Sequence, residues 1–420
     1  MTEIVSVDDV TAAMVTLGVP LGTPVAVGLS GGADSLALAL LASDAFQVTC
    51  LTVDHGLREA SSREAVQAGT LCNEFGIKHC TLVWQGSKPS SNIQAYARDA
   101  RYDLMVNWCI ENSVAFLATA HHRDDQAETV LLRLARGSGV YGLAGMAPTR
   151  DLGGVTLVRP LLTFPKKALR AYLVGRACEW IEDPSNKNED FDRVKIRKLL
   201  ADPPVEGLRS DRLAATARRF QRSRAALEHY EALWLGRAAE SFAEGYAYLN
   251  AGLLDSEPEE IILRGLASLC RYVSGGDYVP RMEKLQRLFS EISADGFRGQ
   301  TLYGAQFTPV ANGLILISRE VAAVQPRTLL KETNTWDNRF EISAKGDMAG
   351  REIDALGEAG WQQLKVLTET RDLLVPRQAV LSLPAVFKGT KVQSVPHLAY
   401  NADDSLTVCV GQKRKLVTKK

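Results

Sequence analysis

Ser30-Gly31-Gly32-Ala33-Asp34-Ser35 follows the compact β-branched run at residues 25–29 and runs directly into the apolar stretch at 34–41. A strand that stops at paired glycines and resumes as a helix lets the backbone approach an anion closely. The free N–H groups of the first helical turn then point at that anion. Ser30 and Ser35 add hydroxyl donors. The hexapeptide is not a Walker A loop, because no Lys follows the glycines and no Lys or Arg occurs anywhere before Arg58. Phosphate binding here must rest on backbone amides, hydroxyls and a cation held by Asp34. Read alone, the segment also fits a Gly-rich strand-to-helix turn with no ligand.

Outward from this loop, residues 48–53, 80–84 and 114–118 are further strand candidates, and 62–75 and 92–110 are long enough for helices. Strand and helix in alternation predict a parallel sheet with helices on both faces. In such sheets ligands sit beyond the carboxyl ends of the strands. The Ser30 loop, Asp54-His55-Gly56 and His121-His122 each directly follow a strand, so three motifs converge on one edge. The character changes near Asp202-Pro203-Pro204. From Ser210, read as an N-cap, Leu213, Ala217, Phe220, Leu227, Tyr230 and Trp234 recur at helical spacing. Helical patterns persist at 261–272 and 281–292. A strand-like passage follows at 301–307, then an Asn312-Gly313 turn and a strand at 314–317. Residues 326–338 read as a polar linker, and 379–383 and 406–410 as short strands. No internal repeat or low-complexity tract is present.

At 420 residues the chain has room for two or three domains, and 46% hydrophobic with 23% charged residues is a globular balance. Lys+Arg and Asp+Glu are equal at 49 each, so any nucleic-acid surface must be a local patch. No apolar run approaches the ~18 residues of a membrane span, and Glu3, Asp8 and Asp9 stand where a signal peptide carries positive charge. The seven cysteines are odd in number and none are spaced C-x-x-C, which argues against a disulfide framework, a thiolate zinc site or an iron–sulfur cluster. The composition predicts a soluble cytoplasmic protein.

The second motif, His121-His122-Arg123-Asp124-Asp125-Gln126-Ala127-Glu128-Thr129, reads as the start of a helix. His121, Asp125 and Glu128 stand at i, i+4 and i+7 and share one helical face. A His with two carboxylates can orient a proton donor, hold a cation or bind an ammonium group. The same residues fit a capped polar helix N-terminus, where acidic side chains are favourable, or a metal-hydrolase site, although no supporting ligands can be placed for the latter.

The hexapeptide resembles the PP-loop of the ATP pyrophosphatase superfamily, whose members cleave ATP to AMP and pyrophosphate. Further segments resemble the tRNA(Ile)-lysidine synthetase family: Val53-Asp54-His55-Gly56-Leu57-Arg58, Ala97-Arg98 with Arg101-Tyr102, the histidine motif, and Leu134-Ala135-Arg136-Gly137-Ser138-Gly139 with Gly142-Leu143-Ala144-Gly145-Met146. Arg159-Pro160-Leu161-Leu162 and Asp183-Pro184-Ser185-Asn186 complete the set, in the family's order over roughly residues 25 to 200. Weaker likeness continues through 301–320 and 381–396. One departure stands out: where the family has Arg-Asn after the D-P-S-N motif, Arg193 is followed by Val194, with Arg197 in the later arginine position.

The resemblance implies an α/β protein with a parallel-sheet, Rossmann-like PP-loop catalytic domain (1–205), a mainly helical tRNA-contacting domain (206–322) and a small mixed C-terminal domain (323–420). It implies that ATP adenylates the C2 oxygen of the wobble cytidine in CAU-anticodon tRNA(Ile), and that free L-lysine then displaces AMP to leave lysidine. Expected ATP-binding residues are Ser30, Gly31, Gly32, Ala33, Asp34 and Ser35, with Mg2+ on Asp34. Expected catalytic residues are Asp34, Arg98, His121, Asp125 and Glu128. Arg101, Arg193, Arg197, Arg218 and Arg219 are expected to meet tRNA. A PP-loop tRNA thiolase and a catalytically silent nucleotide- or tRNA-binding module stay open as alternatives, whereas an amidotransferase would need a glutaminase domain that cannot be found.

Charge supports a tRNA surface locally. Between Arg193 and Arg224 ten Lys/Arg face three acids, a segment charge of +7 in a neutral chain, which suits a phosphate backbone and also fits a solvated helix face. The tail bearing Lys413-Arg414-Lys415 and Lys419-Lys420 is a weaker signal of the same kind. His79, His229 and His397 stand apart from any ligand pattern, and the six tryptophans read as core or domain-contact residues. Oligomeric state is left open.

Overall fold

Val25, Ala26 and Val27 are all buried to within 1%, as expected of a strand covered on both faces. They lie in β1 (Pro24–Gly28), inside a six-stranded sheet. The structure is a computed structural model that describes residues 4–56, 60–85, 93–181, 192–367, 374–413 and 415–418. Leu57, Arg58, Asn92, the Asp183–Asn186 motif, Arg414, Lys419 and Lys420 lie outside the described residues. The chain divides into two units, Met1–Arg224 and Ala225–Lys420.

In the first unit β1 is joined by β2 (Gln47–Asp54), β3 (Lys78–Val83), β4 (Phe116–Ala118), β5 (Thr149–Asp151) and β6 (Thr156–Val158). Their order is β3-β2-β1-β4-β6-β5, parallel throughout except for the antiparallel edge pair β5–β6. Val25 stands opposite Val48 and Phe116, and Val27 opposite Cys50 and Ala118. Alternate residues feed opposite faces. Val25, Val27, Cys50, Ala118 and Val158 join one core, while Ala26, Leu51, Leu117 and Leu157 join another.

Helices α1 (Val7–Thr16) and α2 (Ala33–Ser43) pack into the first of these cores, together with Ala68 and Cys72 of α3 (Ala60–Glu74). Met105 and Cys109 of α4 (Ile93–Glu111) fill the second. Then come α5 (Arg123–Ala135), α6 (Val140–Leu143), α7 (Lys166–Gly175), α8 (Asp192–Ala201) and α9 (Ser210–Ala238). Ala168, Leu169 and Leu173 place α7 in the same core as α2, which explains why α2 is apolar from Leu36 to Ala42. After β1 the chain builds outward through β2 and β3, then returns to add β4 on the other side of β1. That reversal opens a crevice at the carboxyl ends of β1 and β4.

Two local expectations change here. The strand expected at 114–118 is Phe116–Ala118. The helix of the second motif begins at Arg123, with His122 as its N-cap in extended conformation, so His121 precedes the helix and does not share its face with Asp125 and Glu128. The physical reason is the cap itself: the His122 side chain accepts the Asp125 N–H, and the Asp125 carboxylate accepts the His122 N–H.

In the second unit, Trp234 near the end of α9 is fully buried and donates Nε1–H to Leu253 O at 3.0 Å. It lies so close to Gly265 that a Cβ there would sit 2.2 Å from the ring. Strands β7 (Ala239–Ser241) and β8 (Ala247–Asn250) precede α10 (Glu259–Ser274) and α11 (Met282–Ile292), and β9 (Gln300–Leu302), β10 (Ala305–Pro309) and β11 (Leu314–Arg319) follow. These strands form an antiparallel sheet ordered β7-β8-β11-β10-β9. The single strand expected at 301–307 is a hairpin, broken where Tyr303 and Gly304 both adopt positive φ. The Asn312-Gly313 turn forms as expected, with both φ values positive.

The remainder carries β12 (Thr328–Leu329), β13 (Thr333–Trp336), β14 (Phe340–Gly346), β15 (Arg351–Ala355), α12 (Gly357–Leu367), α13 (Arg377–Val380), β16 (Pro384–Lys388), β17 (Lys391–Val395), β18 (Tyr400–Asn401) and β19 (Leu406–Gln412). They make one sheet ordered β12-β15-β16-β17-β18 and another ordered β13-β14-β19. The polar stretch at 326–338, expected as a linker, therefore contributes two strands. Its polar appearance misleads because Trp336 is fully buried and Asp337 is 5% exposed, held by the guanidinium groups of Arg319 and Arg339 at 2.9 and 2.7 Å. The strand expected at 379–383 is instead the end of α13 and the turn after it. No helix among the described residues is long and apolar enough to cross a membrane.

Candidate active site

Three helices, α2, α5 and α7, begin at the carboxyl edge of the sheet beside the β1–β4 crevice. A cavity of about 500 Å³ opens there, lined by Ser30, Asp34, His121 and Asp125 and by Arg98 and Arg101 of α4. The phosphate-loop candidate is shaped by Gly31, whose φ of +77° and contact with Ile181 exclude a side chain: a Cβ would sit 2.6 Å from Ile181 Cδ1. The Ile181 N–H donates to Gly31 O at 3.0 Å. Gly32 caps α2 without a side-chain hydrogen bond, which leaves the first amides of α2 to a ligand. Ser35 is turned inward, donating to Gly32 O at 3.0 Å and accepting the Ser30 N–H at 3.2 Å, so it braces the loop, whereas Ser30 is exposed.

Asp34 lies at the junction of the three helix starts. Its Oδ2 is 3.5 Å from His122 Nε2 and 3.3 Å from Lys166 Nζ, while its Oδ1 is buried with no partner. Burial works to raise the Asp34 pKa, but His122 and Lys166 outweigh it and hold the carboxyl below its ordinary value. A buried carboxylate oxygen without a donor fits a hard cation. Among the described residues no group of three or more His, Cys, Asp or Glu is placed to hold a metal, so such a cation would take its remaining ligands from phosphate and water.

His122 is 3% exposed and joins the two motifs. Its Nδ1 accepts the Asp125 N–H at 3.3 Å, which leaves Nε2 to carry the ring proton toward the carboxylates of Asp34 and Asp125, at 3.5 and 3.4 Å. Burial opposes a second proton on this ring, but the two carboxylates prevail and its pKa lies above the usual histidine value. His121 behaves oppositely. Burial, reinforced by Arg159, Arg98 and Arg193 and opposed by Asp125, takes its pKa down to about 4. It is therefore a neutral imidazole at pH 7, with Nδ1 3.0 Å from Thr119 Oγ1.

Glu128 is 1% exposed and bound two-pronged by Arg197 of α8, Nε to Oε1 at 2.6 Å and Nη2 to Oε2 at 3.3 Å. Burial pushes the Glu128 carboxyl up, and the guanidinium only partly offsets that. Of the expected site residues, the structure thus gathers Ser30, Asp34, Ser35, His121, Asp125, Arg98 and Arg101 around one cavity, while Gly31, Gly32 and Ala33 shape the loop without lining it. It pairs Glu128 with Arg197, so the charge of Arg197 is already neutralised. Arg193, Arg218 and Arg219 are exposed on α8 and α9. The Gly142–Met146 segment is a support: Gln126 bonds both Met146 backbone groups, Arg133 reaches Gly142 O and Gly145 O, and Gln221 reaches Ala144 O.

Two residues at the site lie outside the set expected from sequence. Helical spacing favours His121 over His122, though the place of His122 immediately before Arg-Asp-Asp is an N-cap signal. Lys166 belongs to no motif, yet it supplies the cation that the first 57 residues lack. Its one cue is local, a Pro165-Lys166 pair opening a helix.

The PP-loop domain family profile matches residues 16–203. A tRNA(Ile)-lysidine synthase of Ruegeria pomeroyi is 36% identical over 375 residues, covering 88% of this chain and 87% of its own. That of Wolbachia pipientis wMel is 34% identical, covering 91% and 90%, and that of Methylobacterium nodulans 40% identical, covering 67% and 86%.

Proposed function

The chain belongs to the tRNA(Ile)-lysidine synthase family, and from this and its site geometry we propose that it joins free lysine to C2 of the wobble cytidine in CAU-anticodon tRNA(Ile). It is an ATP-using ligase that forms a carbon–nitrogen bond. The observation that carries the mechanistic reading is the contact of Asp34 and Asp125 with one imidazole. The carboxylate of the phosphate loop and that of the second motif border a single cavity, where both half-reactions have room.

In the first half-reaction the C2 oxygen attacks the α-phosphorus and pyrophosphate leaves. The α2 amides and Ser30 bind the triphosphate. Asp34, whose Oδ1 is buried without a partner, is the residue that would hold Mg2+, and the ion would supply charge neutralisation for pyrophosphate. Adenylation turns a poor leaving group into a good one. In the second, the lysine amine attacks C2, AMP departs and the amine proton is lost. Asp125 is the carboxylate left to hold the incoming ammonium and take that proton, since Glu128 is committed to Arg197. Neutral His121 accepts or donates a hydrogen bond beside it, and Arg98, which lines the same cavity, meets phosphate or base. The target cytidine leaves the anticodon stack to enter the cavity. Arg101, Arg193, Arg218 and Arg219 meet tRNA phosphates, and the helical and C-terminal domains, taken as 206–322 and 323–420, add grip. The setting is cytoplasmic, where tRNA and lysine are both free.

Incubation of the protein with ATP, Mg2+, radiolabelled lysine and CAU-anticodon tRNA(Ile) should place label in a modified cytidine with AMP formed in step. Folded protein that yields no label overturns the proposal. The thiolase alternative finds no support in the cavity, which no cysteine lines, and sulfur transfer in place of lysine transfer is its distinguishing outcome. Charge removal on α9 gives a second expectation. In an Arg218→Ala, Arg219→Ala double variant, the slope of log affinity for tRNA against log salt should fall by about 1.5. Turnover at saturating tRNA should hold. An unchanged slope removes these two arginines from the tRNA surface.

A further inference from the structure

We propose that Lys166 is the cation that binds the β- and γ-phosphates of ATP, an inference that rests on the ATP-dependent reading above. The phosphate loop has hydroxyls and amides but no positive side chain, and no Lys or Arg precedes Arg58. A triphosphate brought against the carboxylate of Asp34 needs a cation from elsewhere in the chain. Lys166 Nζ is 3.3 Å from Asp34 Oδ2, with its side chain one-third exposed.

The backbone beneath it is firmly set. Lys166 N–H donates to Asp124 Oδ2 at 2.8 Å, Arg123 N–H donates to Phe164 O at 2.9 Å, and Ala168 and Leu169 lock α7 into the core shared with α2. The start of α7 is thus tied to both motif helices, and only the four-carbon stem of Lys166 is free to swing. In the arrangement described, the ammonium neutralises Asp34. When the triphosphate arrives, side-chain rotation alone moves the ammonium from carboxylate to phosphate oxygen, which frees Asp34 Oδ2. Lysine serves this as a compact point charge with rotatable donors.

Calorimetric titration of ATP, AMP and inorganic pyrophosphate, each with Mg2+, into wild-type protein and variants tests this. Lys166→Met should weaken ATP and pyrophosphate binding by about ten- to a hundredfold, the scale of one charged hydrogen bond, and leave AMP within threefold. Lys166→Arg should recover most of the loss. Lys167→Met, which removes the same charge from the exposed next position, should bind all three as wild type does. Should the Met variant fold poorly, Lys166→Gln gives the same comparison. Equal losses for ATP and AMP, or none, overturn the role of Lys166 while leaving the ATP-dependent reading intact. Wild-type protein that binds no ATP overturns both.

Discussion

Asp125→Asn is expected to cut lysidine formation about a thousandfold while the protein stays folded. The size follows from the proposed role of Asp125 in holding the attacking amine and taking its proton, general-base and positioning effects together being worth ~10²–10⁴. Asn is the informative replacement because Asp125 also has a structural role. Its carboxylate accepts the His122 N–H at 3.0 Å in the capping box that starts α5. The Asn oxygen keeps that bond, whereas Asp125→Ala loses it and about 1 kcal/mol of helix stability with it. Comparing the two variants separates chemistry from folding. Both should form lysidine poorly, and only the Ala variant should melt earlier. If adenylation is followed separately, through pyrophosphate release, the Asn variant should retain more of it than of lysine transfer. Lysidine formation by Asp125→Asn within tenfold of wild type would sink the assignment.

The different surroundings of Asp125, beside His122, and Glu128, paired with Arg197, show how far sequence carries. The parallel sheet is legible because its causes are local: β-branched runs such as Val25–Val27 alternate their side chains between two cores, and glycines at 31 and 32 stop the strand. The convergence of the motifs on one edge follows from the same pattern. What one sequence does not show is which charges cancel. Glu128 and Arg197 are 69 positions apart, and only the folded packing of α8 on α5 brings them to 2.6 Å. Read in isolation, Glu128 looks like a partner for lysine and Arg197 like a partner for phosphate. The same holds for Lys166, whose ammonium reaches Asp34 from another helix. In the second unit the polar stretch around Asp337 reads as a linker because its burial depends on Arg319 and Arg339, charges that look solvated until they meet.

Arg197→Met tests that cancellation and should be the most destabilising of these substitutions in the first unit. Removing the guanidinium leaves a carboxylate that is 1% exposed without its counter-ion. Breaking one side of a buried pair costs ~3–5 kcal/mol. Because the Arg197 side chain is itself 36% exposed, water can reach the site and the lower figure, about 3 kcal/mol, is the one expected. A unit of this size then melts ~6–12 °C earlier. Glu128→Gln should cost less, since the orphaned guanidinium can turn to solvent while the Gln oxygen still accepts one bond. The double variant Glu128→Met, Arg197→Met removes both charges and should recover most of the stability, so the thermodynamic cycle closed with the single Glu128→Met variant gives a coupling of about 2 kcal/mol. The salt dependence of tRNA binding discriminates the two roles of Arg197. If its charge is neutralised by Glu128, the slope for Arg197→Met matches wild type, in contrast to the Arg218, Arg219 double variant. A melting temperature within about 2 °C of wild type, together with a slope lowered by about one unit, would instead make Arg197 a phosphate contact and release Glu128 to share the lysine ammonium with Asp125.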